Sequence, residues 1–126
     1  MATKSIRLRD GTDTLLPEAG EYGSNSNGFY LKLADGTLIQ WGRKTGLSFS
    51  NQTILEGTET LPLAFIATGY SLSGNGASSS NNSYVFRLGM NPSTTSTFGW
   101  TLASGSGSAI TINNRGFYWV AIGRWK

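Results

Sequence analysis

The segment Phe117-Tyr118-Trp119-Val120-Ala121-Ile122 constrains this chain more than any other part of it. Read as a strand, one face takes Phe117, Trp119 and Ala121 while the other takes Tyr118, Val120 and Ile122. An antiparallel strand in a small monomer often shows one face to water. Two apolar faces leave two arrangements: a central strand covered from both sides, or a strand whose second face is buried against another subunit. The chain has 126 residues and 13.5 kDa, enough for one domain. A chain this small buries only about two-thirds of its unfolded surface, yet it carries four Trp, five Tyr and six Phe. The reading therefore favours a closed homo-oligomer.

The rest of the sequence is written in the same alphabet. Charged residues make up only 13% of the chain, and Gly, Ser, Thr and Asn stand where helices would need Leu, Ala, Glu and Lys. Phe29-Tyr30-Leu31-Lys32-Leu33 and Thr37-Leu38-Ile39-Gln40-Trp41 flank Ala34-Asp35-Gly36, and an Asp-Gly between two apolar runs predicts a tight hairpin, because both residues tolerate positive φ. Phe29, Leu31 and Leu33 share one face, the pattern core packing requires. Further strands are expected at Gln52 to Leu55, Leu63 to Leu72 after Pro62, Tyr84 to Met90, Thr95 to Ala103, Ala109 to Ile112 and Phe117 to Trp125. Short strands between turn residues, with no sustained helical period, predict an all-β antiparallel sandwich or barrel. Residues 1 to 26 read as an N-terminal arm or linker with one short strand at Ile6 to Leu8, and residues 27 to 126 as the globular domain.

Most catalytic chemistry lacks its residues. There is no Cys and no His, which removes disulfides, thiolate nucleophiles, the usual general base and the commonest transition-metal ligand. The many Ser residues have no base beside them and sit in loop-like runs. A glycosidase needs two carboxylates about 5–10 Å apart in a cleft, whereas Glu56 and Glu59, three apart on an extended chain, tend to opposite faces. Gly74-Asn75-Gly76 and Gly105-Ser106-Gly107 do not continue into the Gly-Lys-Ser/Thr of a phosphate loop. Asp10 to Asp13 lacks the distant Glu of a calcium loop. The expectation is a protein that is not an enzyme and takes no metal or cofactor.

Partners are bounded in the same way. Residues 1 to 59 hold six bases against seven acids, net −1, whereas residues 60 to 126 hold four bases and no acid, net +4. That bias suits an acidic or phosphorylated glycan and would also suit nucleic acid, or it is simply a solvated surface. Phe29, Tyr30 and Trp41 lie near Lys32, Arg43 and Lys44, as on a base-stacking platform, but the alternation assigns Phe29 to packing. No nucleic-acid role is expected. No stretch approaches 18 apolar residues, so no membrane span is expected, and the N-terminus has no apolar core of a signal peptide.

Three motifs carry a resemblance. Asn27-Gly28-Phe29-Tyr30-Leu31-Lys32-Leu33 followed by Asp35-Gly36-Thr37-Leu38-Ile39-Gln40-Trp41-Gly42 resembles the opening hairpin of the C-terminal domain of bacteriophage tail-fibre proteins. Leu61-Pro62-Leu63-Ala64-Phe65 is similar to that family's Pro-x-x-Phe strand entry, and Gly116-Phe117-Tyr118-Trp119-Val120-Ala121-Ile122-Gly123 to its closing Trp-x-Ala-Ile-Gly strand. The three fall in the family's order across residues 27 to 125. The resemblance implies a homotrimeric β-sandwich, similar to the H-type lectins, at the tip of a tail fibre or spike on the virion, where it binds a bacterial surface receptor, commonly a glycan. Residues 1 to 26 would join other fibre or baseplate proteins. Since such domains usually end long fibres, a chain this short reads as an excised fragment or a small separate tip protein. Trp41 and Trp119 are expected to be core or interface anchors.

Receptor contacts do not follow from those motifs and are placed by chemistry. Saccharides are held by amide, hydroxyl and backbone hydrogen bonds, which loops on a rigid scaffold supply. The loops Ser73 to Ser83 and Ser104 to Ser108 nominate Asn81, Asn82, Tyr84, Ser106, Asn113 and Arg115, with Arg115 able to meet a phosphate or carboxylate bidentately. Weak sites suffice in an oligomer, because multivalency raises avidity by roughly 10²–10⁴. The alternative is a purely structural trimerisation or capping domain that binds no receptor.

Overall fold

The computed structural model of the chain describes residues 3–7, 13–17, 20–77 and 85–126. Its regular structure there is strand: β1 (Thr3–Arg7), β2 (Asp13–Pro17), β3 (Gly20–Asn25), β4 (Gly28–Leu33), β5 (Thr37–Gln52), β6 (Ile54–Thr60), β7 (Ser71–Ala77), β8 (Phe86–Pro92), β9 (Thr97–Ser104) and β10 (Ile110–Arg124). β1 and β2 pair with each other. The remaining strands form a five-stranded sheet, β3-β4-β5-β10-β7, and a three-stranded sheet, β6-β9-β8, both antiparallel. The expected all-β sandwich is the fold observed. The larger sheet begins earlier than residue 27, since β3 pairs along β4 from Gly20↔Leu33 to Asn25↔Gly28.

Interlocking aromatic rings hold the two sheets together. Phe117 and Trp119 of β10 face Trp100 and Phe98 of β9, at ring-centroid separations of 5.1 and 5.2 Å and steep tilts of 55° and 58°. Phe49 of β5 meets Phe86 of β8 at 5.4 Å. All of these but Phe86 are buried, together with Leu38, Leu102 and Ala121. The face of Phe117, Trp119 and Ala121, grouped by the alternation, is thus the floor of the core. Lys44 Nζ on β5 and Trp100 Nε1 on β9 both approach Glu59 Oε1 of β6, at 3.0 and 3.3 Å, tying the sheets at their rim.

The three sequence motifs meet in space. Gln40 is fully buried, and its side-chain amide donates to Leu63 O at 3.0 Å while its Oε1 accepts Leu63 N–H at 2.7 Å. Gly42 has no side chain because the Trp119 ring lies there: a Cβ would fall 2.7 Å from Trp119 Cζ2. Gly123 faces Phe65, where a Cβ would fall 2.7 Å from Cδ1, and Phe65 stacks on Tyr70 at 4.4 Å. The Tyr70 hydroxyl lies 2.9 and 2.6 Å from the carbonyl oxygens of Thr94 and Thr97, and burial raises its pKa above the usual phenol value.

Several expectations change in detail. In the β4–β5 turn only Gly36 takes positive φ, +100°; Asp35 acts through its side chain, accepting Thr37 N–H at 2.8 Å. Gln52 to Leu55 is not one separate strand: it spans the end of β5 and the start of β6, broken at Thr53. Leu63 to Leu72 is largely irregular: with Leu61 before it, its apolar residues are spent as plugs, Leu61, Phe65 and Tyr70 being buried, and the N–H groups of Phe65 and Ile66 donate singly to Thr95 O and to Arg124 O at the end of β10 rather than forming a ladder. Ala109 to Ile112 and Phe117 to Trp125 merge into the single strand β10, because Asn114 adopts φ 58° and absorbs a register shift in place of a break. The face of Phe29, Leu31 and Leu33 is not the core face. Phe29 is 42% exposed, while Tyr30 packs against the core instead.

Candidate functional site

The two outer faces of the sandwich are chemically opposite. On the five-stranded sheet, Ile122, Ile39, Leu31 and Tyr22 lie opposite one another in register, as do Val120, Trp41 and Phe29 in the next row, and Tyr118 and Arg43 in the one after. Residues directly paired on antiparallel strands point to the same side, so these form one continuous face. Tyr22 is 65% exposed, Ile122 47%, Tyr118 46% and Phe29 42%. Phe29 stacks on Trp41 at 5.8 Å and 14°, Tyr22 leans on Trp41 at 6.2 Å, and the Arg43 guanidinium lies 5.1 Å from the Tyr118 ring. Trp41 is therefore an anchor of the outer face and Trp119, 3% exposed, an anchor of the core.

The three-stranded sheet turns a polar face outward. On β9 the burial alternates strictly, with Phe98, Trp100, Leu102 and Ser104 inside, so Thr97, Gly99, Thr101 and Ala103 face out. Register then aligns Glu56, Thr101 and Gly89 in one outward row and Thr58, Gly99 and Asn91 in the next. Together they form a trough of about 480 Å³. Its floor is bare backbone, because Gly89 and Gly99 contribute no side chains.

The loop residues nominated from sequence fare differently. Asn81, Asn82 and Tyr84 lie outside the described residues. Ser106 is exposed in the β9–β10 turn, its Oγ 2.9 Å from Ser104 Oγ and accepting Ser108 N–H at 3.3 Å. Asn113 is exposed on β10 beside the Asn114 bulge. Arg115 is only 6% exposed, with its guanidinium 6.0 Å from the Phe86 ring and Nη1 donating to Asn114 O at 3.4 Å. Part of the C-terminal positive charge is likewise engaged: Arg124 donates to Asp35 O and Lys126 O, and Lys126 lies 4.8 Å from the Trp125 ring. Sequence reasoning missed the trough, although Leu88-Gly89-Met90 and Phe98-Gly99-Trp100 each place a glycine between two apolar residues, the period-2 sign of a glycine on a strand's outer face.

Comparison with known proteins decides the family. Residues 32–124 match the family described as "tail fiber protein gp53-like, C-terminal". The chain belongs to this tail-fibre family.

The Gln-Trp-Gly hairpin, the Pro62 segment and the Trp119 strand that meet in the core are thus features of a tail-fibre C-terminal domain, and its place is the tail of the virion. Solved structures share the fold. An N-truncated R1-type pyocin tail fiber has a TM-score of 0.57 at 16% identity, with 86% of each chain covered. The C-terminal part of the P. aeruginosa R1 pyocin fiber gives 0.55 at 17% identity over 79% of this chain, and an N-truncated R2-type pyocin tail fiber gives 0.54 at 19% over 86%. This chain spans 27% of the former and 38% of the latter. No curated protein matches it in sequence.

Proposed function

We propose that this tail-fibre domain assembles as a homotrimer at a fibre tip and binds a bacterial surface receptor, a glycan, so that the particle adsorbs to its host. The observation that carries the reading is the outer face of the five-stranded sheet. Tyr118, Val120 and Ile122 continue into Trp41, Ile39, Phe29 and Tyr22 as one aromatic and aliphatic surface. Contiguous apolar surface of this kind marks an interaction site, and in a closed oligomer identical copies cover it for one another. That the number is three, and that the assembly joins other fibre or baseplate proteins, rests on the resemblance to tail-fibre tips. The opposite sheet stays polar and free to meet a receptor. The domain acts by binding, not catalysis, in an H-type-lectin-like manner, with multivalency supplying avidity of roughly 10²–10⁴ over one site.

Sedimentation equilibrium of the purified domain tests the assembly: three times the 13.5 kDa chain mass is expected, and a folded species at the chain mass in dilute solution overturns it. Binding of the fluorescent domain to a panel of bacterial strains, with competition by their surface polysaccharide, tests the receptor. A trimer that binds no strain would be a structural cap.

A further inference from the structure

Nearly every strand glycine in the two sheets is explained by what its missing side chain would strike. Gly42 and Gly57 accommodate the rings of Trp119 and Trp100, each 2.7 Å from a would-be Cβ, and Gly123 accommodates Phe65. Gly89 and Gly99 are different. A Cβ on Gly89 would meet nothing within 4 Å, and one on Gly99 would meet only the carbonyl oxygens of Gly57 and Asn91, at an unstrained 3.9 and 4.0 Å. Neither residue has positive φ. Internal packing and backbone geometry therefore leave both positions open to side chains that would favour a strand, and glycine there weakens it. The remaining reason for a glycine inside a strand is close approach by something from outside.

What approaches is indicated by the rim. The bare floor is bordered by Glu56, Thr58, Asn91 and Thr101, and among the described residues none of these four side chains has a hydrogen-bond or ionic partner. They offer a carboxylate acceptor, two hydroxyls and a carboxamide, the set that answers adjacent hydroxyl groups; Trp100 also lines the trough but is 6% exposed, its ring against Phe117 in the core. Glu56 is the one acidic or basic residue lining the trough, with Arg87 one row away beside Ala103 on the same face. A carboxylate lining the trough repels phosphate and acidic sugars and accepts hydrogen bonds from hydroxyl groups. The volume of about 480 Å³ falls within the roughly 300–1,000 Å³ of small-molecule sites.

We infer that this trough is a saccharide subsite for a neutral glycan, whose ring lies flat on the Gly89–Gly99 floor while Glu56, Thr58, Asn91 and Thr101 bind its hydroxyls. The inference rests on the receptor-binding reading above but moves the contact from the loops to the sheet, and from an anionic ligand to a neutral one.

The test is an amide-shift titration of the isotope-labelled domain with methyl glycosides of neutral hexoses and N-acetylhexosamines, alongside phosphorylated and sialylated sugars. Neutral glycosides are expected to shift the amides of Gly89, Gly99 and Thr101. Gly89→Val and Gly99→Val, whose Cβ atoms fit, are expected to melt no lower than the wild type while weakening that binding by about tenfold or more. Three results overturn the site: no neutral glycoside moves those amides, only anionic sugars do, or the valine variants bind as the wild type does. A changed oligomer mass in those variants also overturns it, since the trough would then hold a neighbouring chain. Cell binding separates the two claims. A wild-type domain that binds cells but shows an empty trough loses this site and keeps its receptor role; one that binds neutral glycosides in the trough but no cells keeps the site and loses the role.

Discussion

The Gln40 carboxamide grips both backbone groups of Leu63, donating to its carbonyl at 3.0 Å and accepting its N–H at 2.7 Å. Here a buried side chain stands in for a missing strand partner, because the chain from Leu61 to Tyr70 leaves the ladder to plug the sandwich. Gln40→Leu removes both bonds and strands two partly buried backbone groups, each expensive to leave unpaired. The expected cost is about 2–4 kcal/mol, a melting point lower by about 10 °C at fixed protein concentration. A variant that melts with the wild type would show that this clamp is dispensable.

Gly42 and Trp119 are coupled through the space a side chain would occupy. Gly42→Ala forces the indole aside and is expected to cost about 1–3 kcal/mol, as overpacked cores do. Trp119→Phe opens a gap that the new methyl group can partly fill, so the double variant should be more stable than the sum of the two losses predicts, by at least about 0.5 kcal/mol. Urea denaturation of the four proteins gives the coupling directly. Strict additivity would mean that ring and glycine do not constrain each other.

Ile122 is 47% exposed on the outer face, so a charge there disturbs the isolated fold by no more than about 0.5 kcal/mol. In an assembly that buries this face, the same charge is desolvated without a partner. Ile122→Lys is therefore expected to yield folded protein at the 13.5 kDa chain mass, with strand circular dichroism retained and cell adsorption lost. An oligomer of unchanged mass would place the interface elsewhere.

Asp35 supplies a pH response of known sign. Thr37 N–H, bonded to its carboxylate, is the largest of the influences holding the pKa below the usual 3.8, with Arg124 adding to the effect. A depressed folded-state pKa contributes stability above the unfolded value and loses it as pH falls through the folded one. The melting temperature of the wild type should thus exceed that of Asp35→Ala at pH 7, and the gap should close below about pH 3.8 as the carboxyl is protonated. A gap that persists unchanged well below pH 3.8, where the carboxyl is protonated in both states, would assign the effect to turn shape alone.

Much of the fold was legible in the order of residues. Period-2 alternation in Phe117 to Ile122 assigned the correct three side chains to each face, and Asp35-Gly36 located the opening hairpin, because both signals depend only on neighbours along the chain. What the sequence could not decide was which of two apolar faces looks inward. Phe29 and Leu31 have the pattern of core residues and lie outside, since sidedness is set by the partner sheet and the three-stranded β6-β9-β8 sheet covers the other side. The candidate site was hidden for a similar reason. Gly89 and Gly99 are ten residues apart, and only antiparallel pairing between β8 and β9 makes them one floor; the rim residues Glu56 and Asn91 meet it only because β9 lies between their strands. Local chemistry thus determined that this chain would be strands with these faces and turns. Long-range pairing, which no local pattern encodes, decided which face became the core, which apolar face was left outside and which glycines came together in one floor.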